Sequence, residues 1–143
     1  MKVAIGSDHA GYDAKEEVLK KLSDEGHDVV DFGTYSHESV DYPDIAHAVA
    51  EAVASGECER GILLCGTGIG MSIAANKVRG VRAALCHDDF TAKMAREHND
   101  ANILAVGSRT TAMHTIMRMV DIFLSTEFAG GRHADRVGKI EKA

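Results

Sequence analysis

An α/β fold is expected from this sequence: three layers, α/β/α, around a five-stranded parallel sheet of Rossmann-like type, formed as one domain over residues 1–143 with a C-terminal tail. Three observations lead there. Short apolar runs alternate five times with segments whose apolar residues return every three or four positions, the period of a helix packed on one side. Two of the runs, GILLC and NILAV, are almost continuously apolar, as strands are when helices cover both faces of a parallel sheet. The length of 143 residues suits one core, and no linker, repeat or low-complexity tract divides it.

Residues 3–6 read as the first strand and 12–22 as its helix, with Ala14, Val18, Leu19 and Leu22 on one face. Strand and helix then follow as 29–32 and 45–53, 61–65 and 71–78, 83–86 and 90–95, and 103–106 and 113–124. From Ser125 the alternation stops. Ala129, Gly130, Gly131, Arg132 and His133 lead into a short basic segment ending in KIEKA, a tail expected to close over another part of the molecule. In doubly wound sheets ligands sit beyond the carboxyl ends of the strands, so 6–11, 33–43, 66–70, 87–89 and 107–111 are the segments to search for chemistry.

Sixteen basic residues against 22 acidic ones give a net charge of -6. The field as a whole repels a polyanion, which argues against nucleic acid; an anionic ligand must be small and met by local charges. No apolar stretch approaches the roughly 20 residues that span a bilayer. The start, MKVAIGSD, has no signal-peptide pattern, so no membrane partner and a cytoplasmic location are expected. Cys58, Cys65 and Cys86 are odd in number and in no CxxC spacing, and read as free thiols.

Cys65 has the most informative setting. It ends a buried strand and is followed by Gly66, Thr67, Gly68, Ile69 and Gly70 at a helix start, where backbone amides can meet an anion and lower a neighbouring thiol's pKa. The alternative, a small hydrophobe at a strand end, fits Cys58 and Cys86 better, since neither precedes such a loop. The spacing excludes three familiar motifs: Met71 stands where a dinucleotide fingerprint needs glycine and where a cysteine phosphatase needs arginine, and the Gly-Lys-Ser/Thr of a P-loop is absent.

Asp8, His9 and Gly11 follow the first strand and should lie beside the Cys65 loop if the first and third strands are neighbours. Asp8 could bind a sugar hydroxyl, cap the first helix, or both. His98 and Asn99 precede the fifth strand, where His98 alone would read as a solvated helix end, and Arg109 follows it. Arg132 and Arg136 are four apart, so a short helix would put both guanidinium groups on one face, suited to a phosphate or to solvent. Asp41, Asp44 and His47 come nearest to a metal-ligand series, but no HExxH or comparable spacing exists, and neither a metal nor another cofactor is expected.

Five strings, GSDHAGY, ESVDYPD, ILLCGTGIGMSIAANK, REHNDANILAVGSR and FAGGRHADRV, together resemble ribose-5-phosphate isomerase type B and its sugar-phosphate isomerase relatives. The resemblance runs through nearly the whole chain. It implies an aldose-ketose isomerase acting on a small sugar phosphate, as a homodimer with shared active sites or a dimer of such dimers. Cys65 would be the base that moves a proton between C1 and C2, Gly66, Gly68, Ile69 and Gly70 the cradle of the enediolate oxygen, and Thr67 a proton relay. His98 would open the furanose ring, with Asn99 on a hydroxyl beside it. Asp8 and Tyr42 would contact the sugar, and His9, Arg109, Arg132 and Arg136 the phosphate. A subgroup that lacks the cysteine has a glutamate where Met71 stands, so this chain falls with the cysteine users. Ribose 5-phosphate is the expected substrate; galactose 6-phosphate, allose 6-phosphate, a tetrulose phosphate, and a non-catalytic sensor on the same fold are the alternatives.

Overall fold

The computed structural model describes residues 1–142 and contains the five strand-helix units in the expected order. The strands are β1 (Lys2–Ser7), β2 (Asp28–Asp31), β3 (Arg60–Cys65), β4 (Ala83–Leu85) and β5 (Ile103–Gly107). Helices α1 (Tyr12–Asp24), α2 (Tyr42–Ala54), α3 (Ile69–Ala75), α4 (Asp89–Glu97) and α5 (Met113–Ser125) connect and follow them, and the tail adds α6 (Arg132–Val137). All four strand pairings are parallel, in the order β2-β1-β3-β5-β4.

Alternation along the strands builds two cores, because successive side chains point to opposite faces. Val3, Ile5, Ile62, Leu64, Leu104 and Val106 pack with Val18 and Leu22 of α1, Ala92 of α4, and Ile116, Met119 and Phe123 of α5. Ala4, Leu63, Ile103 and Ala105 point the other way, onto Val49 and Val53 of α2 and Met71 and Ala75 of α3. The central strands β1, β3 and β5 are buried nearly throughout, whereas β2 and β4, at the edges, are half-buried. This is the three-layer α/β/α arrangement.

Two features of the sheet position the site. From β1 the chain crosses to β2 on one side, while β3 pairs on the other, with Ser7 opposite Leu64; this reversal puts the ends of β1 and β3 at the switch point where such sheets leave a crevice. In addition, β5 lies inside β4, so Gly107 is the register partner of Cys65. The residues after β5 therefore flank the loop after β3.

Helix ends follow local chemistry. Asp88 accepts from the Thr91 amide in a capping box that starts α4, and Pro43 stands in the first turn of α2, where its missing N–H costs nothing. Lys15, on the sheet side of α1, is fully buried against expectation for a lysine. Its ammonium is met by both Asp31 carboxylate oxygens (2.8 and 2.7 Å) and the Thr34 carbonyl (2.7 Å), and it faces the Tyr12 and Tyr35 rings. Paired in this way the buried charge is tolerable, and it pins the loop that leads from β2 to α2. No helix among the described residues is long and apolar enough to cross a membrane.

Candidate active site

The β3 to α3 turn is built around Gly68, the N-cap of α3, at φ 80. A Cβ there would lie 2.5 Å from Leu85 Cδ1 and 2.9 Å from the Val106 carbonyl carbon, so both conformation and space require glycine. The turn sends the Gly68 amide back to the strand end, where it donates to Cys65 Sγ across 3.0 Å. Thr67 Oγ1 accepts from the Ile69 amide at 3.2 Å, which leaves the hydroxyl hydrogen free to donate elsewhere.

Around this turn lies a cavity of about 460 Å³, lined by Cys65, Gly66, Thr67, Ile69, Gly70, Asp8, His9, Tyr42 and Arg109, with Ala10 and Ile73. Nine residues expected from the sequence thus meet in one place. Asp8 is almost buried and uses Oδ1 to accept from the Gly11 amide at 3.0 Å. It is not the helix cap: Gly11 holds that position, without a side-chain cap, and Asp8 closes the turn ahead of α1. His9 Nδ1 accepts from the Val40 amide at 3.2 Å, which in the neutral ring leaves the hydrogen on Nε2 as a donor. Tyr42 lies so close over Gly70 that a Cβ there would sit 2.5 Å from the ring.

The three cysteines differ as expected. Cys65 lines the cavity, whereas Cys58 and Cys86 are each 1% exposed and belong to the two cores. Burial, and then the Glu57 carboxylate, push the Cys58 thiol up. Burial pushes Cys86 up to about 11. Met71, which stands where the cysteine-lacking subgroup has its glutamate, is wholly buried against α2 and the sheet.

The remaining expected residues are elsewhere. His98 and Asn99, just past α4, line a second cavity of about 320 Å³ with His133, Arg136, Val137 and Ile140. The two cavities have no lining residue in common. Arg132 and Arg136 do fall on one short helix, α6, but Arg136 lines the cavity and Arg132 is exposed outside that lining. The tail closes, as expected, over the end of α4: the Ala129 amide donates to the Glu97 carbonyl at 3.0 Å.

Two residues lie in segments the sequence singles out but are given no role there. His133 stacks on His98, ring centroids 4.2 Å apart and planes within 10°; its pKa is held below the ordinary histidine value by loss of solvent and by the His98, Arg132 and Arg136 charges. Only its place one position after Arg132 could have flagged it. Ser108 joins two site loops: its hydroxyl lies within reach of the Ala10 carbonyl (2.9 Å) and the Cys65 carbonyl (3.1 Å), and its one hydrogen is shared between them. No local pattern announces that role, which depends on β5 lying next to β3. Asp41, Asp44 and His47 are exposed, and no group of three or more histidine, cysteine or acidic side chains among the described residues is placed to hold a metal ion.

A sulfur, a hydroxyl and a glycine turn at a sheet's switch point suit chemistry on a small polar ligand, and comparison with known proteins says which family the chain falls in. The model of the family "Ribose/Galactose Isomerase" matches residues 3–140. The solved ribose-5-phosphate isomerase B of Clostridium thermocellum is 59% identical, covering 98% of this chain and 95% of that one, with a TM-score of 0.97. Ribose-5-phosphate isomerase B of Escherichia coli is 48% identical over 97% of this chain and 93% of its own length. The galactose-6-phosphate isomerase subunit LacB of Clostridium acetobutylicum is 45% identical over 90% and 74%. With whole-chain similarity and the same fold behind it, the chain belongs to the ribose/galactose isomerase family and is an isomerase.

Proposed function

We propose that the protein interconverts D-ribose 5-phosphate and D-ribulose 5-phosphate by metal-free proton transfer, in the cytoplasm and as part of the pentose phosphate pathway. The observation that carries this reading is Cys65 Sγ, which accepts from the Gly68 amide; Cys65 lines the same cavity as Thr67, whose hydroxyl is able to donate. Cys65, as thiolate, takes the proton from C2 of the open-chain aldose. The C2–H electrons form the C1–C2 double bond, the carbonyl electrons move to O1, and the glycine turn faces the enediolate oxygen where charge develops. Thr67 moves a proton from O2 to O1, and Cys65 returns its proton to C1. His9 Nε2 and Arg109 meet the phosphate, and Asp8 and Tyr42 meet the sugar hydroxyls.

Ring opening needs an acid within reach of the ring oxygen. His98 has that role in this reading, with Asn99 on a neighbouring hydroxyl and Arg132 and Arg136 adding to the phosphate site. Since the Cys65 and His98 cavities share no residue, the reading includes a homodimer in which a second copy brings His98 to Cys65. A galactose 6-phosphate isomerase is the second reading, favoured by the similarity to LacB. The test is a coupled assay across four-, five- and six-carbon aldose phosphates. The highest kcat/KM is expected for ribose 5-phosphate; a maximum at a six-carbon substrate would favour the second reading, and no turnover on any would favour a sensor.

A further inference from the structure

Arg96, in the last turn of α4, is 3% exposed, and its guanidinium reaches three chain segments at once. Nε donates to the Thr126 carbonyl (3.0 Å), where the tail leaves α5. Nη1 donates to Asp100 Oδ1 (2.9 Å) and to the Ala101 carbonyl (2.7 Å), in the turn between α4 and β5. The Phe123 ring of α5 lies beneath, 5.8 Å from the guanidinium carbon. A buried guanidinium is costly unless its donors find acceptors, and here Nε and both Nη1 hydrogens find them, on fixed backbone and one carboxylate.

Those segments flank the turn that carries His98, whose exposed ring stands at the protein surface. The chain turns at Asp100, with φ 46, and the Asp100 amide donates to the Arg96 carbonyl at 3.2 Å, an αL helix cap. The far end of the turn that carries His98 and Asn99 is therefore held to Arg96 twice, at its carbonyl by the Asp100 amide and at its guanidinium by Asp100 Oδ1 and the Ala101 carbonyl. The same guanidinium anchors the start of the tail, whose His133 stacks on the His98 ring. We propose that Arg96 is a positioning residue for His98: by fastening the turn and the tail to one buried group, it sets the imidazole where ring opening needs it. This rests on the reading of His98 as the ring-opening acid.

The test is a mutant cycle in the full chain with ribose 5-phosphate. Arg96→Lys, which keeps the charge but loses the fork, should lower kcat about tenfold with KM within about twofold. The double variant with His98→Ala should be no slower than His98→Ala alone, because Arg96 acts through that ring. Arg60→Met serves as control: Arg60 donates to the Phe123 carbonyl and lies 5.9 Å from the same ring, but makes no bond to the turn. It should lower Tm and leave kcat unchanged. If Arg96→Lys folds poorly, Asp100→Asn weakens the same link at a residue type tolerant of the left-handed turn, and should cost about threefold in kcat only while His98 is present. Full additivity with His98→Ala, or an equal kcat loss in Arg60→Met, overturns the proposal alone. An unchanged kcat in His98→Ala overturns the reading of His98 and this proposal with it.

Discussion

The Gly68 amide donates to Cys65 Sγ across 3.0 Å, and that bond ties the end of β3 to the start of α3 through a residue at φ 80. An alanine at 68 meets a left-handed backbone and, at 2.5 and 2.9 Å, the Leu85 side chain and Val106 backbone. Gly68→Ala should lose about 2–4 kcal/mol in urea unfolding and most of its turnover. A loss below about 0.5 kcal/mol, the range of ordinary surface changes, would show that the turn yields more than its packing implies.

Removing the sulfur tests the base directly. Cys65→Ala should cost about 10²–10⁴ in kcat with Tm little changed, whereas Cys58→Ala and Cys86→Ala stay within a few-fold of wild type. Iodoacetamide should inactivate by labelling Cys65, with substrate protecting, because Cys86 is buried and pushed up to about 11. Complete inactivation with mass-spectrometric label confined to Cys58 or Cys86 contradicts the assignment.

Much of this was legible in the sequence because strand and helix periods differ and because motif residues after β1 and β3 are local in the chain. The five units appear with small boundary shifts; α3, for instance, starts at Ile69 and ends at Ala75 rather than spanning 71–78. The placement of β5 between β3 and β4 was not legible, since apolar runs carry no neighbour order. The role of Ser108, which depends on that order, escaped for the same reason. Asp8 shows a different limit: its type fits a cap, but the chain needs one further turn before α1, and Gly11 takes the cap. Lys15 breaks the rule that lysines face water, and Asp31 at the end of β2 and Thr34 in the loop after it explain why.

Cys86 should make the fold sensitive to alkali. A thiol raised from 9.0 to about 11 by burial is held protonated in the folded state. Its stabilisation is therefore complete below pH 9 and is lost as pH rises toward 11, by about 2–3 kcal/mol for two pKa units. The stability gap between wild type and Cys86→Ala in urea should narrow by that amount across this window. A gap independent of pH would show that the thiol titrates normally.

Chelation tests the proton-transfer chemistry from another side. An enediolate mechanism with a base and amide donors needs no Lewis acid, so full activity should survive dialysis against EDTA. Loss of activity that zinc, manganese or magnesium restores would replace the mechanism proposed for Cys65 and Thr67.

The separation of Cys65 from His98 gives the sharpest prediction about assembly. The two residues line cavities with no common residue, and the proposed site needs both. Cys65→Ala and His98→Ala homodimers should each be nearly inactive, because every shared site then lacks one proton-transfer group. Mixed after reversible dissociation, the two chains pair at random and about half of the dimers are mixed. In each mixed dimer one shared site carries both defects and the other carries neither. About a quarter of wild-type activity should therefore return. If each site were instead built within one chain, every site in the mixture would still lack one group, and nothing would return. Native mass spectrometry establishes that mixed dimers form; mixed dimers as inactive as their parents would place His98 in the same chain as the Cys65 it serves.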